Sequence, residues 1–358
     1  MAKKIIVTGC LGYIGHVLLS QATQSYNRIA GIDLDLYNAG LDRLTPEVKG
    51  MLDYFPTMQD IPSNILKDVT CVVHLAGVPN DAIGNLDFRL THLLSHESAF
   101  DMAKLAKSIG IPKFIFASSC AVYGKSLNIS TEQSAPTPKS SYAISKLKTE
   151  KDLENLSCDN FQVYLLRLPT IFGWSAHFRN DLVVNELITK ALSLNHFSLD
   201  SNGQEYRPFM HIEDLARAIF LFIDHDVREV NGLPINIGFD CFNLQIVELA
   251  QKISNLLSTP LILKDVLKAN VDDRDYKVSF ALFNSIFPYF RPLSSLDEQI
   301  EATAYSIRNE LKNFQKSKNL QKRLVQLRNQ MLIESSTISQ LTNKVRLESK
   351  SYGLCCKS

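Results

Sequence analysis

Apolar positions along the chain fall first into short unbroken runs and later into spaced stripes. Lys4 to Val7, Arg28 to Ile32, Cys71 to Leu75, Lys113 to Ala117 and Gln162 to Leu166 are rich in β-branched and aromatic residues. Runs such as Phe114-Ile115-Phe116-Ala117 show no polar alternation, which predicts strands buried on both faces of a parallel sheet. Between the runs, Tyr13 to Ala22 and Leu93 to Ser108 carry helical spacing. Strand and helix alternate, which predicts an α/β fold with a doubly wound parallel sheet. From about Leu168 the rhythm loosens, and Pro169, Gly173, Pro208, Pro234 and Gly238 punctuate shorter pieces. These predict a smaller lobe.

From Leu296 onward the pattern is helical and polar. Ala304, Ile307, Leu311 and Phe314 form one stripe; Leu324, Leu327, Met331, Ile338, Leu341 and Val345 form another. The stripes differ in phase, which argues against one continuous coiled coil. Ser335-Ser336-Thr337 weakens helix propensity midway, and the basic stretch Lys312 to Arg328 reads as a solvated helix face. The expected organisation is a sheet domain over 1–170, with 208–240 returning to it. Segments 171–207 and 241–300 make the C-terminal substrate-binding lobe, and 301–358 a helical extension whose stripes need a partner: the body, another subunit or another protein.

A length of 358 residues suits that division, and a net charge of +1 gives no drive toward nucleic acid. The seven cysteines show no CxxC pair and no metal-ligand spacing, so no metal is expected and the thiols read as reduced, in a cytoplasmic protein. No stretch approaches the ~18 apolar residues of a membrane span. The first apolar run is cut by Thr8, Gly9 and Gly12, too soon for a secretion signal.

Candidate chemistry begins after the first strand. Gly9, Gly12 and Gly15 open the first helix. Such glycines permit a tight turn, a close approach of backbone N–H groups to a pyrophosphate, and close helix–strand packing. Asp33 ends the second strand, where a carboxylate can accept from ribose hydroxyls and would repel a 2′-phosphate, so the expected cofactor is NAD. Asp33 also reads as a plain cap or turn residue.

Tyr142-Ala143-Ile144-Ser145-Lys146 places Tyr142 and Lys146 one helical turn apart. An ammonium beside a phenol lowers the phenol pKa from about 10, making Tyr142 a candidate general base or acid. The spacing alone recurs by chance. It gains force from Ser118-Ser119-Cys120-Ala121-Val122-Tyr123-Gly124, which follows a strand at the sheet edge where ligands bind. There Ser119 would hydrogen-bond the substrate oxygen.

Together these segments resemble the NAD-dependent nucleotide-sugar epimerase/dehydratase family of extended short-chain dehydrogenases/reductases. The resemblance is carried by GCLGYIG, Asp33, HLAG (His74 to Gly77), SSCAVYG, YAISK, LRLPTIFG (Leu166 to Gly173), RPFMHIEDLARAI (Arg207 to Ile219) and NIG (Asn236 to Gly238), over roughly residues 3 to 300. The GxxGxxG spacing is the form these enzymes use. The resemblance implies a Rossmann-like sheet whose NAD is held by Gly9, Gly12, Tyr13, Ile14, Gly15, Asp33, Leu75, Ala76, Gly77 and Lys146, with Asp53 the nearest match to an adenine-contacting aspartate. It implies catalysis by Tyr142, Lys146 and Ser119. It also implies a nucleotide-sugar substrate held by Ser119, Cys120, Thr170, Asn185 and Arg207, the last gripping the diphosphate. Arg274 is a second candidate clamp or a member of an ion pair with its acidic neighbours. Family members pair through the helices that here are Leu93 to Ser108 and the one bearing Tyr142, so a homodimer is expected.

The departures narrow the chemistry. Dehydratase members carry an Asp–Glu pair where Cys120 and Ala121 stand, so elimination of water by that route is not expected. Cys120 reads as a weak general acid or a small buried residue. Thr170 and Ser95 replace asparagines. Trp174 reads as a base-stacking or packing residue, and His74 and His211 as structural. The expected activity is epimerisation by transient oxidation, in work such as polysaccharide biosynthesis. The alternatives are a net dehydrogenase or 4-ketoreductase and, further off, a non-catalytic NAD-binding regulator.

Overall fold

The computed structural model describes residues 4–23, 25–26, 28–35, 40–78, 87–199, 201–263 and 274–314. Met1–Arg308 forms one compact unit and Asn309–Ser358 a second. The stripe at 324–345, the break at 335–337 and the basic stretch beyond 314 lie outside the described residues.

Seven strands make the central sheet: β1 (Lys4–Thr8), β2 (Ile29–Ile32), β3 (Leu52–Phe55), β4 (Val69–His74), β5 (Lys113–Ser119), β6 (Gln162–Leu168) and β10 (Pro234–Asn236). Their order is β10-β6-β5-β4-β1-β2-β3, and every pairing is parallel. β1 lies between β2 and β4, with Val7 opposite Gly31 on one side and Val73 on the other. Strand order reverses there, so the crevice for a ligand opens beyond the C-terminal ends of β1 and β4. The expected β-branched and aromatic runs fill this sheet: Ile5, Ile6, Val7, Val72, Val73, Phe114 and Phe116 are fully buried.

Helices α1 (Tyr13–Ala22), α2 (Pro46–Met51), α3 (Ser63–Leu66), α4 (Phe88–Thr91), α5 (Ser98–Ser108), α6 (Ser141–Glu154), α7 (Val183–Ser193), α8 (Ile212–Asp224), α9 (Ile246–Leu257), α10 (Ala281–Ile286) and α11 (Leu296–Phe314) are the described α-helices. Between α4 and α5 the chain makes a π turn, His92–Glu97, where uniform helical spacing predicts an α-helix. A π turn admits an extra residue without Gly or Pro to announce it. Here it passes close to Gly77, where an added Cβ would lie 3.1 Å from Ser95 Oγ, and that hydroxyl accepts from Val78 N at 2.9 Å.

After Leu168 the chain leaves the main sheet through Pro169. β7 (Thr170–Phe172) pairs parallel with β9 (Tyr206–His211), which pairs antiparallel with β11 (Asn243–Gln245); β8 (Phe197–Ser198) and β12 (Leu261–Ile262) form a further pair. α8 returns against α1, and β10 joins the main sheet. α11 starts at a Ser295/Glu298 capping box and buries Leu296, Gln299, Ile300, Thr303, Ala304 and Ile307. The packed stripe therefore runs past residue 301, where the sequence pattern sets the start of a separate extension.

Candidate active site

The glycine loop is fixed by backbone contacts that leave no room for a side chain. Gly9 has a φ of +68°, donates to Ile32 O at 2.8 Å, and an added Cβ would sit 2.7 Å from Ala76 N. A Cβ on Gly15 would strike Gly9 O. Gly12 caps α1 without a side-chain hydrogen bond, which leaves the first-turn N–H groups without a capping side chain, as an anion site requires. Asp33, just past β2, accepts from Leu11 N at 2.9 Å and Asp35 N at 3.0 Å, which ties the carboxylate to the loop tip. Burial pushes its pKa up, opposed by those two donors. Leu75 N donates to Thr8 O at 3.1 Å and Ala76 N to Thr8 Oγ1 at 3.3 Å, which sets the 75–77 segment beside the loop. These residues, cradled as a dinucleotide requires, fit NAD.

Two residues matched to the cofactor point elsewhere. Asp53 sits within β3, opposite Ala30, in an ion pair with Arg28 at 2.9 Å. The Tyr13 phenol is buried, donates to Gly173 O at 2.8 Å and receives Asn185 Nδ2 at 3.2 Å. Tyr13 can offer a pyrophosphate only its backbone N–H.

Ser140 caps α6 by accepting from Ala143 N at 3.1 Å. Helical geometry then sets Tyr142 and Lys146 on one face. Lys146 is buried; its Nζ donates to Ala117 O at 2.6 Å, lies 4.7 Å from the Phe116 ring centre and 5.7 Å from that of Tyr142. Burial lowers its pKa to about 8, against the pull of Glu150. Two residues after Ala117, Ser119 ends β5 partly exposed and caps a 3-10 turn, Cys120–Tyr123, by accepting from Ala121 N at 3.2 Å. Tyr142, Lys146 and Ser119 are thus gathered at one strand end.

Beneath them runs a buried network that spacing alone does not reveal. Ser118 Oγ donates to Glu150 Oε1, and Arg167 bonds the same carboxylate, with Nη2–Oε2 at 2.7 Å. Arg167 Nη1 donates to the Tyr123 hydroxyl at 2.9 Å, and that hydroxyl to Asn236 Oδ1 at 2.7 Å. The signals in the sequence are a charge inside the apolar strand at Arg167 and an acid one turn after Lys146. Cys120 is fully buried, donates to Arg167 O at 3.4 Å and packs with Tyr123, Tyr276, Val278 and Phe280; burial pushes its thiol up. The structure puts it in the core and not at the cleft.

On the lobe side, Asn185 is fully buried: it accepts from Gly173 N at 3.0 Å and donates to Tyr13 Oη and, at 2.9 Å, Arg179 O. It is a tie between segments. Thr170 begins β7, partly buried. Arg207, in β9, donates to Tyr206 O at 2.8 Å and lies 5.2 Å from the Tyr276 ring centre. The 274–278 segment runs beside β9: Tyr276 N donates to Tyr206 O at 3.2 Å, and Asp275 Oδ1 accepts from Tyr206 N at 2.9 Å. Arg274 opens that segment, partly buried. Trp174 stacks on Phe178 with ring centres 5.0 Å apart. His74 bonds Thr8 Oγ1 at 2.9 Å, and His211 accepts from Glu213 N at the head of α8. Among the described residues no cluster could hold a metal ion, and no helix is long and apolar enough to cross a membrane.

A parallel sheet with a glycine loop at its switch point, an aspartate after β2 and a Tyr–Lys helix beside a serine define a dinucleotide-dependent enzyme of the short-chain dehydrogenase/reductase type. Residues 5–238 match the NAD dependent epimerase/dehydratase family, and the chain belongs to it. It is similar to UDP-glucose 4-epimerase of Azospirillum brasilense, 26% identical over 259 residues, 66% of this chain and 73% of that one. It is similar to dTDP-D-glucose 4,6-dehydratase of Mus musculus, 25% identical over 268 residues, 72% of this chain and 73% of that one. In fold it is similar to UDP-glucuronic acid 4-epimerase from Bacillus cereus, solved with UDP-glucuronic acid and NAD: the TM-score is 0.72 at 22% identity, covering 86% of this chain and 99% of that one. The protein is an NAD-dependent enzyme.

Proposed function

We propose that the protein is a nucleotide-sugar epimerase that works by transient oxidation of a sugar hydroxyl. The carrying observation is the buried Lys146 ammonium beside Tyr142, at the strand end that bears Ser119, with no carboxylate at the two positions that follow. Gly9, Gly12, Gly15 and the first N–H groups of α1 would hold the pyrophosphate, Asp33 the adenosine ribose, and Lys146 the nicotinamide ribose. When bound, NAD supplies the hydride acceptor beside the carbinol carbon. Tyr142 takes the hydroxyl proton as a phenolate that Lys146 stabilises, and Ser119 donates a hydrogen bond to the same oxygen. On return Tyr142 gives the proton back. Arg207 neutralises the diphosphate, a role suited to a guanidinium. Ala121 has no titratable group and Cys120 is sequestered, so nothing at these positions supports elimination of water.

The subunit arrangement belongs to the same reading. Phe88 and Ile144 are 57% and 44% exposed and, with His92, Ser141, Ser145 and Lys148, line a surface cavity of about 140 Å³ between α4, the π turn and α6. This is the face on which a homodimer would form. The test of function is a screen of UDP-, GDP-, CDP- and dTDP-sugars without added cofactor, with products read by NMR. An epimer formed without net NADH is expected. A keto sugar with stoichiometric NADH would replace the reading with a net oxidoreductase, and no turnover of any nucleotide sugar would remove it.

A further inference from the structure

Glu150 lies one turn beyond Lys146 on α6, and its carboxylate is bonded from the strand that carries Ser119 and from the strand beside it. Ser118 precedes Ser119, and Arg167 is the register partner of Ser118 across the β5–β6 pairing. Both reach the same carboxylate: Ser118 Oγ to Oε1, Arg167 Nε to Oε1 at 3.1 Å and to Oε2 at 3.2 Å, and Arg167 Nη2 to Oε2 at 2.7 Å. The Arg167 carbonyl takes the Cys120 thiol, the residue after Ser119. Glu150, Arg167 and Lys146 are 4%, 3% and 6% exposed, so water does not screen them.

We propose that Glu150 is the positioning residue of this site: it supplies the counter-charge for the Lys146 ammonium and, through Ser118 and Arg167, anchors the strand ends that present Ser119. The inference rests on Tyr142 and Lys146 being the reacting pair. Lys146 faces His74 from β4, the Phe116 ring and Ala117 carbonyl from β5, and Tyr142 and Glu150 from its own helix. His74 is held neutral by burial, its pKa lowered to about 3, and so contributes no charge. Glu150 faces Arg167 from β6 and Ser118 from β5, and Tyr123, Asn236 and Glu132 complete the far end, Glu132 accepting from Asn236 N at 3.0 Å. Glu150, one helical turn from Lys146 and bonded to Arg167 and Ser118, opposes the fall that burial imposes on the lysine pKa. Without it, burial acts on the amine unopposed and favours the neutral form.

The test reads Lys146 directly. Full-length protein labelled with [13C]lysine is titrated by NMR, following the Lys146 Cε signal assigned by its loss in Lys146→Arg. In Glu150→Gln the midpoint falls by about one pH unit or more, because a nearby opposite charge has been removed. In Glu150→Asp, which keeps the charge, it returns to within a few tenths of the wild-type value. Should Glu150→Gln not fold, Glu150→Gln with Arg167→Met removes both charges, and the midpoint still falls. An unmoved midpoint in either folded variant, or failure of both to fold, overturns the proposal. The titration needs no substrate, so its outcome stands whatever the sugar screen returns.

Discussion

Lys146 Nζ donates to the carbonyl oxygen of Ala117 at 2.6 Å, which fixes the ammonium of α6 at the end of the strand that carries Ser119. The same burial that locks this bond lowers the lysine pKa to about 8. The cation that stabilises the Tyr142 phenolate is present below that pH and is lost as pH rises through it. Turnover is therefore expected to fall on the alkaline side near pH 8. In Lys146→Arg, which stays charged throughout, turnover drops but that limb moves up. An unshifted limb in the pH profile of kcat for Lys146→Arg would separate it from Lys146.

Asp33 and Asp53 are both acids of the second and third strands, and they separate cleanly. Asp33 holds the loop tip through Leu11 N, whereas Asp53 is engaged by Arg28. Asp33→Ala should weaken NAD binding and narrow the preference over NADP. Asp53→Asn should leave both near wild type and cost at most about 1 kcal/mol of stability, because its partner is largely exposed. Titration calorimetry with the two cofactors checks the pair; an Asp53 variant that loses NAD as Asp33→Ala does would restore Asp53 to the cofactor site.

Asn185 matches a substrate-binding position of the family, but its amide is engaged by Gly173 N, Tyr13 Oη and Arg179 O. Asn185→Ala leaves buried polar groups without partners, at about 1–3 kcal/mol each. A melting temperature several degrees lower is expected, with the KM for the sugar nucleotide changed little in the folded enzyme. A large KM increase at unchanged melting temperature would return Asn185 to substrate binding.

Three buried histidines are expected to weaken the fold at acid pH. Burial lowers His74 to about 3 and both His16 and His211 to about 4. The folded state favours the neutral ring, so the unfolded chain binds protons first as pH falls below the ordinary histidine value of about 6.5. Stability is full above that value and declines as pH falls from 6.5 toward 4, by about 3 kcal/mol per histidine. Asp33 and Asp214, raised by burial, act with the opposite sign in the lower carboxylate range. Urea midpoints at pH 7.5 and 5 test this. His211→Asn, which keeps an acceptor at the head of α8, should flatten the dependence.

Much of the fold is legible in the sequence because its signals are local. A tight turn at Gly9 demands glycine, buried parallel strands read as unbroken apolar runs, and a helix sets Tyr142 over Lys146 by spacing alone. The glycine loop accordingly follows β1, Asp33 follows β2, Ser119 ends β5 and Lys146 sits on α6. The features the sequence hides are contacts between distant segments. Tyr13 meets Asn185 across the loop and the lobe; Ser118, Glu150, Arg167, Tyr123 and Asn236 converge from separate elements. Cys120 reads in the sequence as a weak general acid or a small buried residue, and the 3-10 turn, which packs it with Tyr276 and Phe280, makes it the latter. The extent of α11 is in the pattern, but where its stripe packs is not, because burial of Ile307 depends on what lies beneath it.

The central claim is that Tyr142 carries the proton of a sugar hydroxyl. Its most direct test is Tyr142→Phe, assayed on the nucleotide sugar the wild type turns over, with epimer followed by NMR and NAD binding by calorimetry. Turnover is expected to fall by about 10²–10⁴ while NAD binding survives. Near-normal epimer formation by this variant would contradict the assignment.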